Sequence, residues 1–334
     1  MTSPRLRIGV AGVGHFGRYH ALKVAASERA VLAGVFDADP ERAKTIGWET
    51  NAPALDFPAL LGACDALVIA APAEVHHALG VQALRAGRHV LMEKPIAATL
   101  AQADELAALA AQAKLVLQVG HLERFSAAFG AMETRLGAPL YLEATRIAPF
   151  KQRGTDVSVI LDLMIHDLDL VLALVGSEIE SADAVGAAVA SEHPDIANAR
   201  IRFTNGAVAT ITASRVAMRT ERRMRVFAQD GYLAADFANR RLTVISRGRG
   251  RPIPDVAGFG IEEVSWQDHD SLAAEHAAFV ASVLDGAPVR VDVAAGRRAL
   301  AAALMVTDSM TASRGRMEAS GLLHDVQHGI GGGI

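Results

Sequence analysis

The chain has 334 residues, 51% of them apolar, 5% aromatic and 21% charged, with 33 Lys and Arg against 37 Asp and Glu and a formal charge of -4. That length predicts two domains with cores built mainly from Ala, Val, Leu and Ile, and the composition excludes disorder, collagen and coiled coil. The near-balance of charge argues against a surface that gathers nucleic acid or anionic lipid, so neither is expected as a partner.

The first residues, Arg5 and Arg7 before the apolar run 8–13, have the outline of a signal peptide. The run is short and passes straight into glycines and His15, so it reads as structure. From there to about residue 119, short aliphatic runs alternate with longer Ala and Leu-rich stretches, which predicts a parallel sheet covered by helices. Strands are expected at 6–11, 30–36, 66–70, 89–92 and 115–119, and helices at 16–26, 40–45, 75–86 and 100–113. Thr99 reads as the N-cap of the last helix and Gly87 as the C-terminal glycine of the one before. The single Cys64 has no partner for an internal disulfide and reads as a buried thiol, so a reducing, cytoplasmic setting is expected.

After Gly137 the texture changes. Strands are expected at 140–148, 179–190, 197–203, 207–216, 223–228, 232–237 and 241–246, with Asn205 and Gly206 as a hairpin turn. Helices are expected at 157–175, 271–284 and 293–311, so this half reads as a mostly antiparallel sheet with helices on one face. The helix 157–175 is too interrupted by Asp162, His166, Asp167 and Asp169 to cross a membrane. Residues 247–260 read as a loop, and the Gly-rich tail as mobile.

The segment 8–17 reads as a strand, then Gly12-Val13-Gly14-His15-Phe16-Gly17, then a helix, and Asp37 falls at the end of the next strand, twenty residues after Gly17. This context turns a GxGxxG string into a dinucleotide-binding signature. Gly12 permits the tight turn, Gly14 lets backbone approach a pyrophosphate, Gly17 packs helix on strand, and Asp37 accepts from a ribose 2′-hydroxyl. A carboxylate there repels a 2′-phosphate, so NAD is favoured over NADP, although Arg42, five residues on, has the charge to meet a phosphate.

Two further groups carry chemistry. Glu93, Lys94 and Pro95 follow a predicted strand at the carboxyl edge of the sheet, where ligands of open α/β sheets bind, and a lysine there can polarise a hydroxyl. On the apolar helix 157–175, Ser158, Asp162, His166 and Asp169 fall at spacings of four, four and three and form one polar stripe. Such a stripe is either a satisfied ion network or the wall of a cleft. His76 and His77 lack further ligands at metal spacing and read as ordinary histidines at a helix start, so no metal is expected.

Together the GVGHFG turn, Asp37, the segment 72–76, the Glu93-Lys94-Pro95 triplet, Arg124 in GHLERF and DLMIHDLD (162–169) resemble the glucose-fructose oxidoreductase, inositol dehydrogenase and MocA-like family over essentially the whole chain. The resemblance implies an α/β fold: an N-terminal Rossmann domain with a doubly wound parallel sheet at 1–120, and a C-terminal α+β domain with an open, mostly antiparallel sheet at 121–334. It also implies a homodimer or homotetramer. Lys94, Asp162 and His166 become the catalytic set, with His166 as base, or Lys94 taking more of the proton transfer as in some members of the family, and Asp162 orienting Lys94 or His166. Gly12, Gly14, His15, Phe16, Gly17, Asp37, Arg42, Ala71, Pro72, His76, Glu93 and Lys94 become the cofactor-binding set, with Glu93 near the nicotinamide carboxamide.

The runs VGHLERF and SVILDLMIHDLDLVLALVG resemble most a subgroup that oxidises the 3-hydroxyl of UDP-N-acetylglucosamine on the way to a diamino sugar of lipid A. Beside Lys94, Asp162 and His166, the implied substrate residues are His121, Arg124, Lys151 and Arg153, the cations being suited to a diphosphate. Inositol or a free sugar as substrate, and a non-catalytic NAD-binding regulator, remain as alternatives.

Overall fold

In the computed structural model, residues 4–135, 137–151, 157–266 and 269–322 are described. Strands β1 (Leu6–Ala11), β2 (Ala30–Phe36), β3 (Ala66–Ile69), β4 (His89–Glu93) and β5 (Leu117–Gly120) alternate with helices α1 (His15–Ala25), α2 (Pro40–Thr50), α3 (Phe57–Ala63), α4 (Ala73–Arg85) and α5 (Leu100–Ala113). The strands form one parallel sheet in the order β2-β1-β3-β4-β5. The order reverses direction beside β1, which puts the glycine turn and the carboxyl ends of β3 and β4 around one crevice.

The expected caps form. Thr99 accepts from Gln102 N at 3.2 Å, and Gly87 has φ +75°. Helix α3 lies where no element was expected, although its signals are in the sequence: Asp56 caps Ala59 N at 2.8 Å and Pro58 stands in the first turn.

A 3₁₀ turn (Leu122–Phe125) and α6 (Ala127–Glu133) lead into β6 (Pro139–Ile147). A π-helical segment (Ile160–Met164) runs into α7 (Ile165–Val175), and then β7 (Ile179–Ala187), β8 (Ile196–Phe203), β9 (Val208–Ser214), β10 (Glu221–Ala228), β11 (Gly231–Asp236), β12 (Arg241–Arg247), β13 (Arg251–Pro252) and β14 (Phe259–Ser265) follow. They make a nine-stranded sheet, β13-β14-β12-β11-β10-β6-β9-β8-β7, antiparallel except for the β6·β9 pair. The stretch 247–260, expected as a loop, therefore contributes β13 and the start of β14.

Helices α8 (Ser271–Asp285) and α9 (Val293–Ala319) close the chain. One face of the large sheet packs on α7 and α9, through residues such as Leu168, Val171, Ala303 and Val306. The opposite face carries charged rows, with Glu143 paired to Arg225 and Asp236 to Arg223. The division expected at residue 120 is crossed by packing. Phe279 and Val280 of α8, Val291 just before α9, and Ala295 and Leu300 in its first turns are buried with the parallel sheet. Among the described residues no helix is long and apolar enough to cross a membrane. Cys64 is a buried free thiol, and the Gly-rich tail lies outside the described residues beyond 322.

Candidate active site

The turn after β1 is built around glycine. Gly12 has φ +83°, and a Cβ there would meet the Ala71 backbone at 2.5 Å; a Cβ on Gly17 would lie 1.8 Å from the Gly12 carbonyl. Both positions are closed to side chains by protein. At Gly14 a Cβ would meet nothing within 4 Å, so the amino end of α1 opens onto space sized for another group. His15 is exposed at that end and Phe16 packs edge-on against His20 at 5.1 Å.

Asp37 follows β2 and is bound on three sides. It accepts from Val13 N at 2.8 Å, Asp39 N at 2.9 Å and Arg42 Nη1 at 3.0 Å. Arg42 also lies 3.4 Å from the Asp39 carboxylate, so it spends its charge on two acids. These features fit a dinucleotide: a glycine cradle with open space above it, a helix start and a fixed carboxylate just past the end of the neighbouring strand β2.

Ala71 and Pro72 stand at the crevice, Pro72 exposed. His76 does not. It is 1% exposed and its ring nitrogens lie 2.8 Å from the carbonyls of Pro95 and Ala71, so it ties the loop after β3 to the loop after β4 from behind. His77 pairs instead with Glu105 on α5.

Lys94 begins a cis bond to Pro95. Its ammonium donates to the Asp162 carbonyl at 2.8 Å and to that of Leu161 at 3.5 Å, with the Asp162 carboxylate 4.0 Å away. The expected contact between Lys94 and Asp162 exists, but its short bond is to backbone. The π-helical segment supplies those carbonyls; wider turns of this kind recur at functional sites because they shift the backbone ladder.

The same segment breaks the expected stripe. Ser158 lies ahead of the helix, its carbonyl accepting from Leu161 N and Asp162 N. Asp162 and His166 are half-buried on the Lys94 side. Asp169, 3% exposed, turns instead to His121 at 4.0 Å and Arg124 at 3.8 Å. His166 Nδ1 is buried without a partner. Burial, and then the positive charges of Lys94 and Arg146, hold the His166 imidazolium well below its ordinary range, which leaves a neutral ring at neutral pH.

His121 is 1% exposed, and both its ring nitrogens are buried without a partner. Burial pushes its imidazolium below the usual range, against the opposing pull of Asp169. Arg124 stacks over Phe129 at 5.1 Å. Lys151 is exposed on the segment after β6, and Arg153 lies outside the described residues.

Two buried groupings escaped the sequence reading. Arg146 of β6 donates to both oxygens of Asp167 at 2.9 and 3.0 Å and to Glu123 at 2.9 Å, pinning α7 beside the 3₁₀ turn. The signal was available, since Asp167 is a charge on an otherwise apolar helix face. The other joins His20, Glu93, Glu275 and His276 across 256 residues of sequence, and no local pattern announces it.

Residues 6–121 match the model of the oxidoreductase family with an NAD-binding Rossmann fold, and 113–234 match the GFO/IDH/MocA C-terminal domain. The chain is 45% identical over 305 residues to the UDP-N-acetylglucosamine 3-dehydrogenase of Acidithiobacillus ferrooxidans, covering 90% of this chain and 96% of that one. A solved structure of that enzyme, GnnA, superposes with a TM-score of 0.88 at 44% identity over 92% of this chain and 98% of that one. The myo-inositol 2-dehydrogenase of Thermotoga maritima is more distant, 25% identical over 88% of this chain and 93% of its own. With its glycine cradle, its Lys94 loop and these matches along both sheets, the chain belongs to the GFO/IDH/MocA family of NAD-binding oxidoreductases.

Proposed function

We propose that this protein oxidises a hydroxyl of a nucleotide sugar to a ketone, the substrate being UDP-N-acetylglucosamine and the carbon C3. The observation that carries the substrate is the 45% identity to an enzyme of that name over nearly the full length of both chains, against 25% to an inositol dehydrogenase. A keto sugar of this kind suits an aminotransferase, and we read the reaction as a step of diamino-sugar synthesis for lipid A on that ground. We read the protein as cytoplasmic, a reading that the buried free thiol of Cys64 supports, and as a homodimer or homotetramer on the family resemblance.

Gly12, Gly14, His15, Phe16, Gly17 and Asp37, with Ala71 and Pro72 at the neighbouring strand end, would hold the dinucleotide, and Glu93 would lie near its nicotinamide end. When bound, NAD supplies the hydride acceptor. His166, neutral at neutral pH, takes the hydroxyl proton at Nε2, since its Nδ1 is enclosed by protein. Lys94 donates to the same hydroxyl oxygen and stabilises the negative charge that grows there as the proton leaves. The carbonyls of Leu161 and Asp162 fix the ammonium for that task. Arg124 and Lys151, with Arg153, meet the diphosphate.

The test is NADH formation by purified protein with NAD and UDP-N-acetylglucosamine, while a 3-aminotransferase and glutamate remove the ketone and draw the reaction forward. NADH that forms with the nucleotide sugar but not with N-acetylglucosamine or myo-inositol supports the proposal. NADH with a free sugar or inositol moves the substrate to that class. Silence with all three, in protein that binds NADH, returns the regulator reading.

A further inference from the structure

Below the Lys94 loop, five polar side chains are packed away from solvent: His20 of α1, Glu93 of β4, Gln118 of β5, and Glu275 and His276 of α8. Burying such groups is costly unless they are hydrogen-bonded, so their bonding pattern needs a cause. His276 Nε2 lies 2.9 Å from His20 Nδ1, and His20 Nε2 lies 3.0 Å from Glu93 Oε1. A carboxylate only accepts, so the proton between His20 and Glu93 sits on His20 Nε2. A ring with one proton then accepts at Nδ1, and His276 Nε2 is its donor. The donors run one way, from α8 through α1 to the end of β4.

Glu93 has little freedom at the end of that line. A Cβ on Gly120 would stand 2.5 Å from its Oε1, so the carboxylate lies against bare backbone of β5. Its other oxygen takes the amide of Lys94 at 3.3 Å. Any swing of Glu93 is therefore felt at the residue that carries the reactive ammonium.

We propose that His20 and His276 form a one-way hydrogen-bond relay that holds Glu93, and through it the Lys94 backbone, in register, making them positioning residues for the dehydrogenase reaction. This rests on the reading of the site as a dehydrogenase. The surroundings agree with it. Burial keeps the His276 imidazolium well below its ordinary range, against the pull of Asp270. Both oxygens of Glu275 lack partners; burial first and the Glu93 charge second push its carboxyl well above its ordinary range, so it adds no second negative charge. A rival arrangement is specific. One ring nitrogen of His20 and one oxygen each of Glu93 and Glu275 lie within 4.8 Å of one another, a donor set for a small divalent cation. A cation there would claim the Nε2 lone pair and move the His20 proton to Nδ1.

Two measurements test the relay. A solid-state ¹⁵N spectrum of histidine-labelled protein, with the His20 signals identified by their loss in His20→Gln, needs no substrate. It is expected to show Nε2 protonated and Nδ1 bare. In turnover, His20→Phe is expected to lower kcat by about tenfold to a hundredfold with little change in KM for the nucleotide sugar. His20→Gln, whose amide donates from about the same place, is expected to recover most of that loss. A bare Nε2, or one equivalent of Zn²⁺ or Mn²⁺ retained after dialysis and lost in Glu275→Gln, overturns the relay. So does full kcat in His20→Phe with only a lower melting temperature, or a Gln variant no better than Phe. An inactive wild type with the expected His20 spectrum sinks the dehydrogenase reading and leaves the hydrogen-bond direction standing.

Discussion

The Lys94 ammonium donates to the backbone carbonyl of Asp162 at 2.8 Å, while the Asp162 carboxylate stands 4.0 Å from it. The short tie between the two halves of the site thus runs through backbone that a side-chain substitution leaves in place. Lys94→Ala removes the polarising group and is expected to lower kcat by about 10²- to 10⁴-fold. Asp162→Ala keeps the carbonyl and is expected to lose less, about tenfold. Steady-state kinetics on the two variants decides it, and equal losses would mean that the carboxylate has its own part in proton movement.

Asp37 and Arg42 form a 3.0 Å pair at the ribose end of the crevice. The carboxylate favours NAD and occupies the only nearby guanidinium found among the described contacts of Asp37. Asp37→Ser frees Arg42 for a 2′-phosphate and removes a charged acceptor whose hydrogen bonds are worth ~1.5–3 kcal/mol. The ratio of kcat/KM for NAD over NADP is expected to fall by about tenfold to a hundredfold. An unchanged ratio would take Asp37 away from the ribose.

With His166 as the proposed base, its lowered value is expected to set the acid limb of activity. Burial and neighbouring cations disfavour the imidazolium, so the neutral, proton-accepting ring persists below the ordinary histidine value of 6.5. The acid limb of kcat/KM is expected with its midpoint under 6.5. Arg222, exposed at its tip and one of those cations, offers the control: Arg222→Gln removes a positive charge and is expected to move the midpoint upward. A limb that stays in place would shift the titration to another group, and His166→Ala is expected to cost about a hundredfold or more in kcat.

Glu275 links stability to pH with a defined sign. Its folded carboxyl titrates well above the ordinary 4.5, so the folded state holds a proton that the unfolded chain gives up as pH rises past that value. Stability is therefore complete below about 4.5 and declines as pH rises toward the folded value. Glu275→Gln, neutral at every pH, is expected to melt with the wild type in acid and about 2–4 °C or more above it at pH 8. Parallel melting curves across that range would show that Glu275 ionises without cost.

Much of this was legible in the sequence because it depends on local geometry. The glycine turn at 12–17, the Thr99 and Gly87 caps, the Asn205-Gly206 hairpin and the alternation of strands and helices each follow from backbone freedom or side-chain period within a few residues. The motif that pairs Asp162 with His166 was equally readable, since both sit about one turn apart. Tertiary structure decided the rest. It opened a π-helical turn that put Ser158 outside the stripe and handed the Lys94 ammonium to backbone carbonyls. It buried His76 and His121, which the family resemblance had placed at the cofactor and the substrate. It also brought α8 back to the parallel sheet, so that His276 reaches His20 from 256 residues away. Those outcomes turn on which polar groups lose water and which partners they find, and both are set by packing between segments that no local pattern connects.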